Sequence, residues 1–242
     1  MTRPVVGPIV KMPVEAQATD ALRESIVTGA IAPGSRITEV NLAEQMNLSR
    51  ATVRTALHQL AKEGLIILQP YTGWKVVALS AQDVWELYTL RSAVERLAGR
   101  LVAAKLAEGA GDRTTRALQR VFEDLADACG EGDKNAIAEA DFAFHKAIIT
   151  HAGHSRLANQ YSLIEQQIRM YIRSSDELID EPQQIIEQHQ PILAAILRGD
   201  IEKAGQLSEA HNLGEGEKLS THLAKFESPE TTAPTIKKHS RR

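Results

Sequence analysis

Cysteine and aromatic side chains are scarce in this sequence. Among its 242 residues there is 1 cysteine, and Phe, Trp and Tyr together make up 4%. A single thiol cannot form an internal disulfide bond, so nothing indicates an oxidising compartment. Because aromatic residues are few, the core must consist mainly of Ala, Leu, Ile and Val, which favours helices over a β-sandwich or β-barrel.

Long apolar runs are also missing. No stretch approaches the ~20 apolar residues that a membrane-spanning helix requires. The first 14 residues mix proline, glycine and apolar side chains, without the charged segment and continuous apolar segment of a secretion signal. The chain length suits two compact domains. We therefore expect a cytoplasmic protein of two domains.

Charge is distributed unevenly along the chain. Residues 1–79 contain 8 Lys and Arg against 6 Asp and Glu, a net charge of +2. Residues 80–225 contain 16 against 23, or −7, and the tail 226–242 contains 4 against 2, or +2. An acidic body behind a mildly basic head would direct the head towards phosphate groups.

The first 79 residues predict three helices followed by a two-stranded hairpin. Ser49 is a good N-cap for the third helix, and Gly64 lies in the C′ position that closes it. The predicted helices are 15–28, 39–46 and 50–63, and the predicted strands are 65–69 and 74–79.

From Ser80 onward the chain is almost entirely helical in pattern, which makes the fold mainly α. Residues 80–225 form the second predicted domain, and the Pro-, Thr-, Ser- and Lys-rich residues 226–242 predict a disordered tail. The predicted helices are 80–106, 114–128, 133–150, 156–174, 180–198 and 200–219. The first of them has an apolar stripe that suits either a core or an interface: Val84, Leu87, Leu90, Val94, Leu97 and Leu101.

The two short helices around Ser49 form a predicted helix-turn-helix. Such units place the N-terminus of the second helix in the major groove of DNA. On that helix Arg50, Thr52 and Arg54 point away from the apolar face, where they can bond base edges or phosphates. The hairpin that follows, tipped by Gly73, predicts a wing that reaches the adjacent minor groove or backbone. The alternative is a small helical bundle with arginines on its surface.

Five short segments of this domain match a known family in order and spacing. They are Ile31-Ala-Pro-Gly-Ser-Arg-Ile-Thr-Glu39, Leu42-Ala-Glu44, Ser49-Arg-Ala-Thr-Val-Arg-Thr-Ala-Leu57, Leu60-Ala-Lys-Glu-Gly-Leu65 and Gly73-Trp-Lys-Val76. Over nearly all of residues 15–79 they closely resemble the N-terminal domain of the GntR family of transcription regulators. The resemblance implies that Ser49, Arg50, Thr52 and Arg54 touch DNA and that Gly73 approaches the minor groove. Some members also contact DNA through an arginine where this chain has Val40, so that contact is not implied here.

One aspartate and three histidines of the second domain form a candidate metal site. Asp141 and His145 are four residues apart, so they lie one turn apart on the same face of a predicted helix. His189 and His211 lie on two further predicted helices. One carboxylate and three imidazoles suit a divalent ion such as Zn²⁺, Ni²⁺ or Mn²⁺. The alternative is that the histidines are unconnected core or surface side chains.

Other residues complicate this site. His151 and His154 flank a glycine turn and are rival ligands. Pro191 requires the helix that carries the third ligand to kink or to begin there. Gly214 and Gly216 weaken the last helix just after the fourth ligand.

Four segments of the second domain also match a known family. They are Leu87-Tyr-Thr-Leu-Arg91 with Glu95, Asp141-Phe-Ala-Phe-His145, His189-Gln-Pro-Ile-Leu-Ala-Ala-Ile196 with Gly199-Asp200, and Ala210-His211. Residues 80–222 resemble the ligand-sensing domain of the FadR subfamily of GntR regulators, the FCD type, which is an antiparallel helical bundle.

The second resemblance implies a ligand site as well as a metal site. In such domains an Asp and three His, here Asp141, His145, His189 and His211, hold a divalent metal beside which a small organic or sugar acid binds. It implies that Arg91 faces the cavity, where its guanidinium would bind a carboxylate. Equally, Arg91 could pair with Glu95 on its own helix. Further candidates for the pocket are Asn159, Arg169 and Arg173.

These features favour a ligand-responsive regulator, usually a repressor, that binds operator DNA as a homodimer because helix-turn-helix proteins read paired half-sites. The competing hypothesis is a metal-dependent hydrolase or lyase in which the Asp and His set activates water. No obvious general base or nucleophile motif accompanies that set, so we expect no enzyme. A structural helical adaptor would leave both the arginines and the histidines unexplained.

Overall fold

The computed structural model describes residues 12–109 and 111–226. The predicted tail 226–242 lies outside these ranges apart from its first residue. The elements of the head follow in the order α1 (Val14–Val27), β1 (Arg36–Ile37), α2 (Glu39–Met46), α3 (Arg50–Lys62), β2 (Ile66–Gln69) and β3 (Gly73–Val76). The three helices and the wing therefore form where the sequence pattern predicts them.

The wing is a three-stranded antiparallel sheet in the order β1-β3-β2, which corrects the prediction of two strands. β1 pairs with β3 so that Arg36 lies opposite Lys75 and Ile37 opposite Trp74. A strand of two residues is too short to show an alternating pattern, so only the pairing reveals it. β1 fixes the wing to the chain that enters α2.

Local signals end the helices of the helix-turn-helix. The Ser49 hydroxyl accepts the Thr52 N–H at 3.1 Å and caps α3. Asn47 closes α2 in the left-handed region with φ of 51°. Gly64 adopts φ of +71° directly after α3, a conformation that glycine adopts without strain. Together these residues make two sharp turns that set α3 across α2 and lead the chain into the wing.

Six helices form the remainder of the described chain. Their bounds are α4 (Ala81–Ala107), α5 (Asp112–Glu131), α6 (Lys134–Ala152), α7 (Ser155–Asp176), α8 (Gln183–Leu197) and α9 (Ile201–Ala224). α4 packs along α9, α5 packs against α6 and α8, and α6 packs against α7. Pro191 lies inside α8, which is assigned as one helix from Gln183 to Leu197. No helix in residues 12–109 or 111–226 is long and apolar enough to cross a membrane.

The apolar stripe of α4 is divided between core and surface. Val84 and Leu87 are buried, whereas Leu90 is 50% exposed and Leu97 is 42% exposed. The face of α4 that turns into the bundle also carries polar residues, among them Tyr88, Arg91 and Glu95, which are 1%, 2% and 2% exposed. Buried charges are rare in proteins unless they are paired, and Arg91 and Glu95 form such a pair.

Candidate DNA interface and metal centre

The N-terminus of α3 presents a polar, solvent-facing surface. Ser49 Oγ lies 2.9 Å from Thr52 Oγ1 in addition to capping the helix. The side chains of Arg50 and Arg54 are exposed. Exposed N–H groups, hydroxyls and guanidinium groups at a helix start are suited to phosphate oxygens and base edges.

Arg54 is held by a residue of α2 that the sequence did not single out. Arg54 Nε donates to Glu39 Oε1 at 2.9 Å, and Arg54 Nη2 donates to Glu39 Oε2 at 2.7 Å. The indole N–H of Trp74 lies 3.5 Å from Glu39 Oε1. Hydrogen bonds from Arg54 outweigh partial burial and lower the pKa of Glu39. Since these residues come from α2, α3 and β3, no local pattern predicts their contact.

The wing ends in a tight turn. Gly73 has φ of +90°, and a Cβ there would lie 3.3 Å from the carbonyl oxygen of Ile37. Glycine therefore suits both the backbone angle and the close approach of β1. Tyr71, two residues earlier, is fully exposed at the tip.

Asp141, His145, His189 and His211 converge inside the bundle from α6, α8 and α9. His145 Nε2 lies 3.1 Å from His189 Nε2. Asp141 Oδ1 lies 3.4 Å from His145 Nε2, and Asp141 Oδ2 lies 3.2 Å from His189 Nε2. The His211 ring stacks on His145 with centroids 5.1 Å apart. One ligand nitrogen from each of the three histidines lies within 4.8 Å of the others.

The hydrogen bonds of these rings leave their lone pairs facing one another. His145 Nδ1 lies 2.6 Å from Glu95 Oε2, and His189 Nδ1 lies 2.7 Å from the Ile185 carbonyl oxygen. Each Nδ1–H is therefore donated outward, and each Nε2 presents a lone pair to the centre beside the Asp141 carboxylate. Burial opposes a charge on His145, but Glu95 outweighs it and raises the pKa of this ring, so either a proton on His145 Nε2 or a cation at the centre would balance these acceptors.

The chemistry of the donors fits a metal ion. Burial and the two neighbouring imidazoles lower the pKa of His211 well below its ordinary value, so this ring is neutral, as a metal ligand must be. Burial also opposes a charge on Asp141, but His189 and His145 outweigh it and lower the pKa of the carboxyl group. A carboxylate with imidazoles is a common donor set for a divalent ion, which displaces any proton from the ligating nitrogens when it binds.

A second layer of buried groups supports the candidate ligands. Glu95 accepts from His145 through one oxygen and from Arg91 Nε at 2.6 Å through the other. Asn212 Nδ2 also donates to Glu95, at 3.0 Å. Burial would raise the pKa of Glu95, yet Arg91 and His145 outweigh it and lower the pKa below its ordinary range. Glu95 thus orients His145 and remains charged.

Several polar atoms near this centre lack a partner. Arg91 Nη2 and Asp141 Oδ1 are buried without a hydrogen-bond partner in the described residues. Nearly all buried polar groups in proteins are hydrogen-bonded, so such a set marks a place for water, an ion or a small polar ligand. The other unpartnered buried atoms of the described residues are Tyr88 OH, Tyr161 OH, Asp176 Oδ2 and Asn212 Oδ1.

Arg91 forms a buried ion pair with Glu95, which is one of the two alternatives that its sequence position left open. Its Nη2 is buried without a hydrogen-bond partner among residues 12–109 and 111–226. The other three predicted pocket residues have their contacts elsewhere. Asn159 is exposed, Arg169 forms ion pairs with Glu24 and Glu139, and Arg173 pairs with Glu177 and bonds Asn135.

The two rival histidines have structural partners of their own. His151 Nδ1 lies 3.2 Å from the Thr114 hydroxyl. His154 Nδ1 accepts the Leu157 N–H at 3.2 Å and caps α7. Neither belongs to the cluster of His145, His189 and His211.

Comparison with known proteins assigns both parts of the chain. The FCD domain matches residues 86–213, and the family of bacterial regulatory proteins called gntR matches residues 15–76. The "Probable D-xylose utilization operon transcriptional repressor" of Paenarthrobacter nicotinovorans is 30% identical over 193 residues, 79% of this chain and 82% of that protein. The "Gluconate operon transcriptional repressor" of Bacillus licheniformis is 26% identical over 184 residues, 74% of either chain.

A solved structure shares the fold. Escherichia coli McbR/YncC superposes with a TM-score of 0.72 at 23% sequence identity, covering 88% of this chain and 99% of that one. The winged head, the helical bundle and these relatives lead to one assignment. The chain belongs to the GntR family and is a transcriptional regulator with an FCD domain.

Proposed function

We propose that this regulator is a repressor whose operator binding is controlled by a small organic or sugar acid bound beside a divalent metal. One observation carries the proposal: a buried carboxylate and imidazoles direct acceptor atoms at a common point, next to buried polar atoms without partners. Buried polar atoms without partners are costly, whereas a cation and an anionic ligand would satisfy both sets of atoms.

Asp141, His145, His189 and His211 would hold the ion, which we take to be Zn²⁺, Ni²⁺ or Mn²⁺. When bound, the ion would supply a positive charge that attracts a carboxylate and a hydroxyl oxygen of the acid. Arg91 Nη2 would donate to the same carboxylate, because the Nε–H of this guanidinium is already donated to Glu95. The effector changes DNA binding only if it prefers one arrangement of the heads.

The name of one relative agrees with an acid of this class. The Bacillus licheniformis relative is a gluconate operon repressor, and gluconate is a sugar acid, whereas the Paenarthrobacter nicotinovorans relative is a probable repressor for the neutral sugar D-xylose. We therefore propose a sugar acid as the first class of compound to test. Since the operator is chromosomal DNA, the protein would act in the bacterial cytoplasm.

At the DNA, Ser49, Arg50, Thr52 and Arg54 would enter the major groove, and Gly73 at the wing would approach the minor groove. Paired half-sites require two heads at a fixed spacing, so we propose a homodimer.

The exposed part of the α4 stripe, Leu90 and Leu97, is the proposed dimer surface. Together with Val94 and Leu101 these residues follow the spacing of three and four residues that lets helices pack side by side. The test is sedimentation of a Leu97→Lys variant. A monomer supports this surface, and an unchanged dimer rejects it.

The metal alone gives the first test of the sensing site. Binding to the folded state stabilises it by about 2.7 kcal/mol when the free ion is at 100 times its Kd. Thermal unfolding should therefore shift upward with Zn²⁺, Ni²⁺ or Mn²⁺ in the wild type and not in Asp141→Asn. Asp127→Asn, which removes an exposed carboxylate on α5, is the matched control and should respond like the wild type.

The acid is tested in a second experiment. A duplex that the wild type selects from a random pool is followed by fluorescence anisotropy while gluconate, or succinate as a plain dicarboxylate, is added with and without chelator. Release by an acid only in the presence of metal supports the proposal. If none of the three ions stabilises the protein, the metal site is rejected. Steady product formation from the acid would favour the enzyme hypothesis instead.

A further inference from the structure

Glu39 occupies a site where a negative charge is unfavourable for a DNA-binding surface. It is the first residue of α2, and its side chain is 18% exposed beside Arg54, which is 53% exposed. A carboxylate next to the recognition helix repels phosphate groups. An exposed ion pair by itself contributes little to stability. Neither stability nor simple attraction to DNA therefore accounts for this pair.

The geometry of the pair leaves a defined edge of the guanidinium free. Glu39 accepts from Nε and from Nη2 of Arg54, so it covers the side edge of the group. A guanidinium has five N–H donors in a fixed plane. The uncovered donors are both N–H groups of Nη1 and one of Nη2. One N–H of Nη1 and the free N–H of Nη2 form the end-on pair that matches O6 and N7 of guanine.

We propose that Glu39 is a positioning residue that directs the end-on edge of Arg54 at a guanine base, so that Arg54 reads a G·C pair and does not merely contact phosphate. The inference rests on the proposed DNA interface of α3. A fixed guanidinium loses less conformational entropy on binding, which converts a flexible charge into a base-specific contact.

The wing takes part in the same arrangement. Trp74 of β3 is 3% exposed, and its indole N–H lies 3.5 Å from Glu39 Oε1. The ring of Trp74 also makes an edge contact with His58 of α3, with centroids 5.0 Å apart. Glu39 is thus fixed between the recognition helix and the wing, so its carboxylate has little freedom to turn away from Arg54.

The test measures discrimination between bases separately from affinity. The probes are a duplex that the wild type selects from a random pool, its single-base-pair variants in which each guanine is replaced, and an unrelated duplex. Glu39→Gln should lower the wild-type preference for one guanine by roughly tenfold, within the range of a bidentate base contact. Because a negative charge is lost, its affinity for the unrelated duplex should stay the same or rise.

Two further variants separate positioning from charge. Glu44→Gln removes a charge from the same helix at an exposed residue that has no ion pair within residues 12–109 and 111–226, and it should leave the guanine preference unchanged. In an Arg54→Ala background, Glu39→Gln should cause no further loss of preference, since its effect acts through Arg54.

The outcomes distinguish the inference from the interface on which it rests. If Arg54→Ala lowers the guanine preference and Glu39→Gln does not, positioning by Glu39 is overturned while the interface stands. If Arg54→Ala leaves every preference unchanged, the assignment of α3 to the groove fails as well. Arg54→Lys tests the role of Arg54 separately, because lysine keeps the charge without the planar fork and should lose the preference.

Discussion

Arg54 in the head and Arg91 in the bundle are each held by a glutamate through Nε, yet their surroundings differ. Arg54 is 53% exposed and pairs with Glu39 from another helix, whereas Arg91 is 2% exposed and pairs with Glu95 one turn along the same helix. Water screens the first pair, so its energy is small and its value lies in orientation. The second pair had to leave water entirely, so breaking it is costly.

The same contrast separates the two regions as a whole. On α3 the polar groups are satisfied by one another or by solvent, so this surface is complete before it meets DNA. In the bundle Arg91 Nη2 and Asp141 Oδ1 are buried without a hydrogen-bond partner among the described residues. The first arrangement suits recognition by a rigid surface, and the second suits the binding of a small ligand. The following predictions test that contrast, from the largest expected effect to the smallest.

Glu95→Gln should lower the free energy of unfolding by about 3–5 kcal/mol, because it leaves the buried Arg91 without its counter-charge. Urea unfolding followed by circular dichroism measures this change. Glu86→Gln, on the exposed side of α4, is the matched control and should stay within about 0.5 kcal/mol of the wild type. If the two variants lost equal stability, water would have to reach and screen the Arg91–Glu95 pair, contrary to its burial in the structure.

Arg50→Ala combined with Arg54→Ala should weaken binding to a selected duplex by about a hundredfold or more, since each arginine contributes roughly 1–3 kcal/mol through a base or phosphate contact. Fluorescence anisotropy over a salt series measures it, and the dependence on salt should become shallower. Removing Arg116 and Arg120, two exposed arginines of α5, changes the net charge equally and serves as the control. If the control lost DNA affinity to a similar extent, the arginines of α3 would contribute only through the overall charge of the protein.

Gly216→Ala and Gly214→Ala should have opposite signs although they lie two residues apart in α9. A Cβ on Gly216 would lie 2.5 Å from Cβ of Tyr88, whereas one on Gly214 meets nothing within 4 Å. Overpacking at Gly216 should cost about 1–3 kcal/mol. Alanine at Gly214 should stabilise α9 by about 0.5–1 kcal/mol. Thermal and urea unfolding measure both changes. If helix propensity alone decided the outcome, both variants would be more stable than the wild type.

Arg169→Gln should cost about 1 kcal/mol or less. Arg169 of α7 donates to Glu139 of α6 and, at 3.3 Å, to Glu24 of the head. Both partners are largely exposed, so solvent screening limits the stabilisation. Glu24→Gln removes the contact with the head alone and should cost still less. If Arg169→Gln lowered the free energy of unfolding by more than about 3 kcal/mol, the contacts of Arg169 with Glu139 and Glu24 would behave as buried interactions and not as surface ones.

Local patterns predicted much of the fold. Ser49 caps α3 through its side chain, as its position before an apolar periodic segment predicted. Helix caps and apolar periods depend on residues within a few positions of one another, so they can be read directly from the sequence. The third strand of the wing was not predicted, because β1 exists only through its pairing with β3.

Long-range contacts limited what could be said of the sites. The spacing of Asp141 and His145 placed these residues on one helix face, but the approach of His189 and His211 depends on how α8 and α9 pack. Asn159, Arg169 and Arg173 were candidates for the pocket, and their contacts lie on the surface or at the junction with α1 and α6. Residue type alone does not tell which face of a helix turns inward when polar groups are buried.

The sequence by itself determined the order of elements, the helix-turn-helix and its exposed arginines, because those follow from period, caps and turns along the chain. The tertiary structure alone decided which groups are partners. It placed Glu39 against Arg54, divided the stripe of α4 between core and surface, and brought Glu95 onto His145. These contacts join residues on different helices, so they are fixed by packing in three dimensions, which no local pattern encodes.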